Sequence, residues 1–141
     1  MNISSYFAKD LFHGKTVFIT GGSSGINLGI ARNFAAVGAN LGIVGRSQEK
    51  LDAASAELRA LGARVSAHSA DVRDYPALEK ALRDAREELG PIHTLICGAA
   101  GNFPLAAEQI SPNGFKSVID IDLLGSFHTC RAAFEQLQET R

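Results

Sequence analysis

The stretch Thr20-Gly21-Gly22-Ser23-Ser24-Gly25-Ile26-Asn27-Leu28-Gly29 decides how this chain is read. It comes directly after the strand-forming run Val17-Phe18-Ile19. It opens a segment in which Ile30, Ala31, Phe34, Ala35 and Val37 recur at helical spacing up to a stop at Gly38. A strand delivered into a helix through glycines presents free backbone N–H groups, and the positive end of the helix, to an anion. Glycine is needed in such a turn because a Cβ would block close approach or forbid a left-handed backbone. The turn therefore reads as a seat for the pyrophosphate of a dinucleotide, with Thr20, Gly21, Ser23, Ser24, Gly25 and Ile26 as the cofactor contacts. Its spacing departs from the commoner G-x-G-x-x-G fingerprint, so the assignment depends equally on the residues downstream of the turn.

A second strand-like run, Leu41-Gly42-Ile43-Val44, ends in Gly45-Arg46-Ser47. About 20 residues beyond the glycines, NAD-selective sites carry an acidic residue for the ribose hydroxyls, whereas an arginine accommodates the 2′-phosphate of NADP. Gly45 offers no carboxylate to repel that phosphate, and Arg46 can grip it with a planar fork of donors. Arg46 and Ser47 therefore join the cofactor contacts, and NADP(H) is favoured over NAD(H). The competing reading makes Arg46 a solvated loop residue and Ser47 the cap of the next helix.

The 141 residues, 45% hydrophobic and with a formal net charge of −1, have the profile of one globular domain. No basic stripe offers a footprint for a nucleic-acid backbone, and no apolar run is long enough to cross a bilayer. Met1 to Gly14 lacks the basic start and apolar centre of a secretory leader, so the expected compartment is cytoplasmic. The two cysteines, Cys97 and Cys130, and the four histidines show no metal-ligand spacing, and no disulfide is expected. Cys97 closes an apolar run in which a buried thiol is ordinary.

From Lys15 onward strand-like and helix-like segments alternate without repeats or linkers, which predicts an open, parallel, doubly wound α/β sheet of Rossmann type across residues 1–141. Leu51, Ala54, Leu58 and Leu61 mark the apolar face of a helix that stops at Gly62. Residues 64–70 read as a third strand leading to Asp71-Val72. Pro76 begins a helix whose Leu78, Ala81, Leu82, Ala85 and Leu89 form one face before Gly90. Ile92 to Cys97 is the fourth strand. It runs into Gly98-Ala99-Ala100-Gly101, a small-residue turn at the carboxyl end of the sheet, where such folds bind ligands.

The last element, from about Asn113 to Leu137, is apolar on more than one helical face, through residues such as Phe115, Leu123, Phe127, Phe134 and Leu137. Each large side chain left in water forgoes about 1.5–3 kcal/mol. Two arrangements answer this: a second surface from another subunit or missing chain, or a helix sandwiched within the domain.

These residues resemble the short-chain dehydrogenase/reductase family from Lys15 to Phe134. Thr20-Gly21-x-x-x-Gly25 is similar to the family's cofactor loop, and Asp71-Val72 to its adenine contact. Leu95-Ile96-Cys97-Gly98-Ala99-Ala100-Gly101 stands where the family has an Asn-Asn-Ala-Gly turn. Asp120-Ile121-Asp122-Leu123-x-Gly125-x-Phe127 resembles the helix that carries the family's active-site Asn. The resemblance adds Asp71, Val72, Cys97, Ala99, Ala100 and Gly101 to the expected cofactor contacts. Asn27 occupies the place of the third glycine, so the contact between loop and helix is expected to differ. Ala99-Ala100-Gly101-Asn102-Phe103 with Asp122 in place of Asn is similar to the branch that reduces 2,4-dienoyl-CoA thioesters.

That resemblance implies an NADPH-dependent reductase of an unsaturated acyl-CoA. Conjugate reduction needs hydrogen-bond donors at the thioester oxygen and a proton source. Asp122 is then the catalytic candidate, holding or relaying a proton among Ile119, Ile121 and Leu123, against the plainer reading of a solvated helix residue. Asn102 and Phe103 would orient the acyl thioester, or simply form a turn. The family's Ser and Tyr-x-x-x-Lys, or the lysine alone in the dienoyl-CoA branch, have no counterpart here: Tyr75 is followed four residues later by Glu79, and Tyr6 precedes the first strand. The expectation is an N-terminal, cofactor-binding portion, inactive alone, with strand order 3-2-1-4 and a homo-oligomeric parent joined through the last helix. The alternatives are a 3-oxoacyl or other carbonyl or alcohol oxidoreductase of the same family, and a non-catalytic nucleotide-binding or dimerising module.

Overall fold

The computed structural model describes residues 6–140. Residues 1–5, part of the segment read for a leader, and Arg141 lie outside the described residues. The chain alternates β1 (Thr16–Thr20), α1 (Gly25–Ala36), β2 (Asn40–Gly45), α2 (Gln48–Ala60), β3 (Val65–Ser69), α3 (Tyr75–Leu89) and β4 (Ile92–Cys97), and ends in α4 (Pro112–Ile119) and α5 (Gly125–Glu139). All strand pairs are parallel, as the alternation predicts, and the sheet order is β3-β2-β1-β4, as the family resemblance implies.

Each strand of a sheet covered on both faces must be apolar on both sides, and β1 meets this with all five residues buried. Val17 and Ile19 point to the side where Ala31 and Ala35 of α1 and Leu51, Ala54 and Leu58 of α2 pack with Leu41, Ile43 and Val65. Phe18 points to the other side, against Leu78, Ala81, Leu82 and Ala85 of α3 and Ala133 of α5. Gly42 is paired with Phe18, and a Cβ there would meet the ring at 2.5 Å. The glycine in the middle of β2 is therefore the space that the aromatic ring fills. Leu61 corrects the reading of α2: it caps the helix rather than extending its apolar face, and is half exposed.

The last segment is one helical rod with a π-helical stretch, Asp120–Leu124, between α4 and α5, where periodicity predicts an unbroken α-helix. The inserted turn rotates α5 relative to α4. Gly125 then lies directly on Val72, where a Cβ would come within 2.5 Å of Cγ2. On the inner side of α5, Thr129, Ala133 and Gln136 are buried. On the outer side Phe115, Leu123, Leu124, Phe127 and Phe134 are exposed. The sandwiched arrangement is thus not realised among the described residues: one stripe of the rod is covered and the other is not. Among the described residues, no helix is long and apolar enough to cross a membrane.

Candidate dinucleotide-binding site

The carboxyl ends of the strands open onto a cleft of about 320 Å³. Its floor is built by one backbone turn and two side-chain clasps. Gly21 turns with φ +71°, its N–H donating to Val44 O at 2.8 Å. A Cβ at Gly21 would press within about 3 Å of Asn27, Ala99 and Gly98. Thr20 Oγ1 accepts from Gly98 N at 3.0 Å and from Ala99 N at 3.1 Å, clasping the turn after β4 to the end of β1. Asn27 Nδ2 donates to Gly98 O at 2.6 Å, a third tie across the same gap.

The contact between loop and helix does differ, as expected from Asn27 standing at a glycine position, and the structure shows its form. The amide fills the space above Gly98, so that a Cβ at Gly98 would collide with it. At the start of α1, Ser24 is extended and its side chain does not cap the helix. The first-turn N–H groups are thereby left for an anion, which strengthens the attraction of a helix N-terminus.

Gly21, Ser23, Ser24, Arg46, Ser47, Asp71, Val72, Ala99 and Ala100 of the expected contacts line the cleft. Thr20 is buried beneath it and acts through its hydroxyl. Gly25 is the first residue of α1, with φ +57°, and Ile26 is turned outward and largely exposed. Cys97 directs its thiol away from the cleft, toward Ser126 O and Cys130. Asn102 and Phe103 are exposed on the coil beyond Gly101, and neither lines the cleft. Ser47 also accepts from Lys50 N, so the capping reading and the lining position hold together.

Lining residues that the sequence reading did not assign to the cofactor include Val44, Lys50, Ala70 and Ile121. Lys50 lies four residues beyond Arg46, and the start of α2 at Gln48 carries both toward the same opening. That spacing was the available signal. Among the described residues neither cation is engaged in an ion pair.

Asp71 is gripped by Arg73, which donates from Nε to Oδ1 at 3.0 Å and from Nη2 to Oδ2 at 2.6 Å, with its backbone N–H also on Oδ1. This hydrogen bonding, reinforced by the more distant charge of Arg46, holds the Asp71 carboxyl below its ordinary range despite partial burial.

Asp122 sits in the π-helical turn and accepts the Gly101 N–H on Oδ1 at 2.7 Å. The expected apolar enclosure does not form. Asp122 and Leu123 are exposed, while Ile121 turns to the cleft beneath Gly101. Residues adjacent along a helix point in different directions, so apolar neighbours in sequence do not bury the carboxyl between them. Instead Asp122 ties the rod to the end of the β4 turn.

The parallel sheet, the two layers of helices and the glycine-lined cleft across its carboxyl edge define an open α/β protein of Rossmann type. The chain belongs to the short chain dehydrogenase family, whose model matches residues 15–141. It is 39% identical over 137 residues, 97% of this chain and 46% of the other, to a peroxisomal 2,4-dienoyl-CoA reductase [(3E)-enoyl-CoA-producing] of Arabidopsis thaliana. It is 42% identical over 123 residues, 86% of this chain and 36% of the other, to a 3-dehydrosphinganine reductase of the same plant. A carveol dehydrogenase from Mycobacterium avium, in complex with NAD, superposes with a TM-score of 0.86 at 25% identity, covering 94% of this chain and 52% of that one. The chain thus spans about half the length, or less, of these proteins.

Proposed function

We propose that this chain supplies the NADP(H)-binding part of an oxidoreductase that reduces a 2,4-dienoyl-CoA or a related enoyl thioester. The observation that carries the cofactor half is the β2 end of the cleft, where Arg46 and Lys50 line the opening beside Gly45 and no acidic side chain from residues 45–50 joins them. A dinucleotide fits the donor set. Gly21 and Gly98 let the turns after β1 and β4 pack against Asn27 with no side chain of their own beside the cleft, and the uncapped start of α1 offers N–H groups to a pyrophosphate. Arg46 and Lys50 would hold a 2′-phosphate, Asp71 and Val72 the adenine side, and Ala99 to Gly101 the nicotinamide side.

When bound, the dinucleotide supplies a hydride to the far carbon of the conjugated acyl thioester. The chain's own residues orient and exclude. Thr20 and Asn27 fix the turn at Gly98, Ile121 closes its base, and Asp122 holds Gly101 through its N–H. We assign Asp122 to positioning this turn and to passing a proton through water, with Asn102 and Phe103 toward the acyl thioester. The dienoyl-CoA reading is supported by Asp122 together with Ala99 to Phe103, and by the plant relative. The related dehydrosphinganine reductase supports the alternative of carbonyl reduction.

Neither Tyr6 nor Tyr75 lines the cleft; Tyr75 stacks edge-on against His128. We propose that the 141-residue chain alone gives no turnover and serves as a nucleotide-binding module in that form. The exposed outer stripe of α5 supports self-association of the parent enzyme. For the compartment, the proposal stays with the cytoplasm, and the peroxisomal name of the plant relative supplies the alternative that cell fractionation would reveal.

The test is a substrate panel with the longer enzyme that contains this segment. Oxidation of NADPH with 2,4-dienoyl-CoA but not with 3-oxoacyl thioesters or simple ketones is the expected result. Ketone reduction alone would move the assignment to the carbonyl reductases, and NADH preference would overturn the cofactor reading.

A further inference from the structure

We propose that Cys97 and Cys130 are a reversible dithiol–disulfide pair, a modification site that links the carboxyl end of β4 to α5. Their Sγ atoms lie 3.8 Å apart although the residues are 33 positions apart in sequence. A disulfide brings two sulfurs to about 2.05 Å, so closure asks for an approach of about 2 Å. Cys130 is exposed and Cys97 is partly buried. Cys97 ends β4 immediately before Gly98 and Ala99, whose N–H groups are held by Thr20. The link would therefore form one residue from the backbone that lines the cleft.

The two thiols differ in exposure. Burial, and next the neighbouring Cys130, push the Cys97 thiol up to about 11, which makes it a poor initial nucleophile. Cys130, open to solvent, is the entry thiol. Its thiolate attacks one sulfur of a small-molecule disulfide such as oxidised glutathione. That S–S bond breaks, one glutathione leaves as thiolate, and Cys130 carries the other as a mixed disulfide. The Cys97 thiol gives its proton to the departing thiolate or to water. It then attacks Cys130 Sγ and expels the second glutathione. The two protein thiols are oxidised by two electrons, and one disulfide is reduced to two thiols.

The experiment takes the intact protein, purified reduced, through graded ratios of oxidised to reduced glutathione, with acid quench, alkylation and mass analysis at each ratio. The expected product is a monomer lighter by two hydrogens, with no alkylatable thiol, a linked Cys97–Cys130 peptide, and full reversal by dithiothreitol. Cys97→Ser should stop at a glutathione adduct on Cys130, and Cys130→Ser should keep Cys97 free, with circular dichroism confirming that both variants fold. A glutathione adduct that persists on Cys130 in the unmutated protein, disulfide-linked dimers, or two alkylatable thiols at every ratio would each overturn the proposal.

Discussion

Asn27 and Gly98 exchange bulk across the mouth of the cleft: the Asn27 amide donates to Gly98 O at 2.6 Å and occupies the space that a side chain on residue 98 would need. Asn27 lies in α1 and Gly98 after β4, 71 residues apart, so the pair joins the two halves of the sheet's carboxyl edge. The larger residue at one position requires the smallest at the other. This complementarity predicts coupled mutants.

Gly98→Asn alone should destabilise the chain by about 1–3 kcal/mol, the usual cost of overpacking a filled site. Asn27→Gly alone removes a hydrogen bond worth about 1 kcal/mol. The double variant should recover much of the loss, giving a coupling of at least about 0.5 kcal/mol in a double-mutant cycle read by urea unfolding. Strict additivity would mean that the two side chains do not share the space.

Arg46→Ala should weaken NADPH binding by about tenfold or more, since a charge-assisted hydrogen bond contributes about 1.5–3 kcal/mol. Affinity for NADH should change little. Lys50→Ala should act in the same direction with a smaller effect, because an ammonium offers a point charge rather than a fork. Fluorescence titration with both dinucleotides reads the difference, and an equal loss for both would remove Arg46 from the discrimination.

Asp71 gives a pH dependence of known sign. Its folded value is depressed, chiefly by the Arg73 hydrogen bonds. The resulting stabilisation is fully present above the ordinary Asp value of about 4 and is lost as the pH falls through the lower, folded value. Arg73→Ala should therefore flatten the fall in stability below about pH 4. Its effect near neutral pH should be small for so exposed a pair. Denaturant melts across the acid range check this; parallel curves for both proteins would show that Arg73 is not the cause.

In the longer enzyme, Asp122→Ala should lower kcat by about 100-fold or more if the carboxyl carries the proton. The affinity for NADPH, measured separately, should move little. Asp122→Asn keeps an oxygen to accept the Gly101 N–H and should restore the turn without restoring the rate. An unchanged rate in Asp122→Ala would remove the residue from the chemistry.

The outer stripe of α5 also makes a prediction. Phe127→Glu with Phe134→Glu should lower the association state of the longer enzyme in sedimentation, because both rings are exposed on the described chain. An unchanged sedimentation coefficient would assign the stripe to another covering.

The alternation of strands and helices and the place of the glycine turn are consequences of local sequence, and the 3-2-1-4 order followed from the family resemblance. Val17-Phe18-Ile19 is a run suited to a strand covered on both faces, Ile92 to Cys97 is a strand-forming run of which Ile92 is fully buried, and the glycines after α1, α2 and α3 stop each helix where it must return. The one-faced pattern of α3 was likewise readable, and all five expected apolar residues are buried. Leu61 and the π-helical turn were not, because helix ends and an inserted residue are decided by what the helix meets: Gly62 in one case, Val72 in the other.

By itself, therefore, the sequence determined the sheet, the position of the cleft along its carboxyl edge and the basic character of its β2 end, since periodicity and turn chemistry act over a few residues. Only the tertiary structure decided what reaches across. It set the clasp of Asn27 on Gly98, the hold of Asp122 on Gly101, the arrival of Ile121 at the cleft, and the meeting of Cys97 with Cys130. Each of these joins separate elements, and their spacing is set by the packing of helices on the sheet, to which no local pattern in the chain responds.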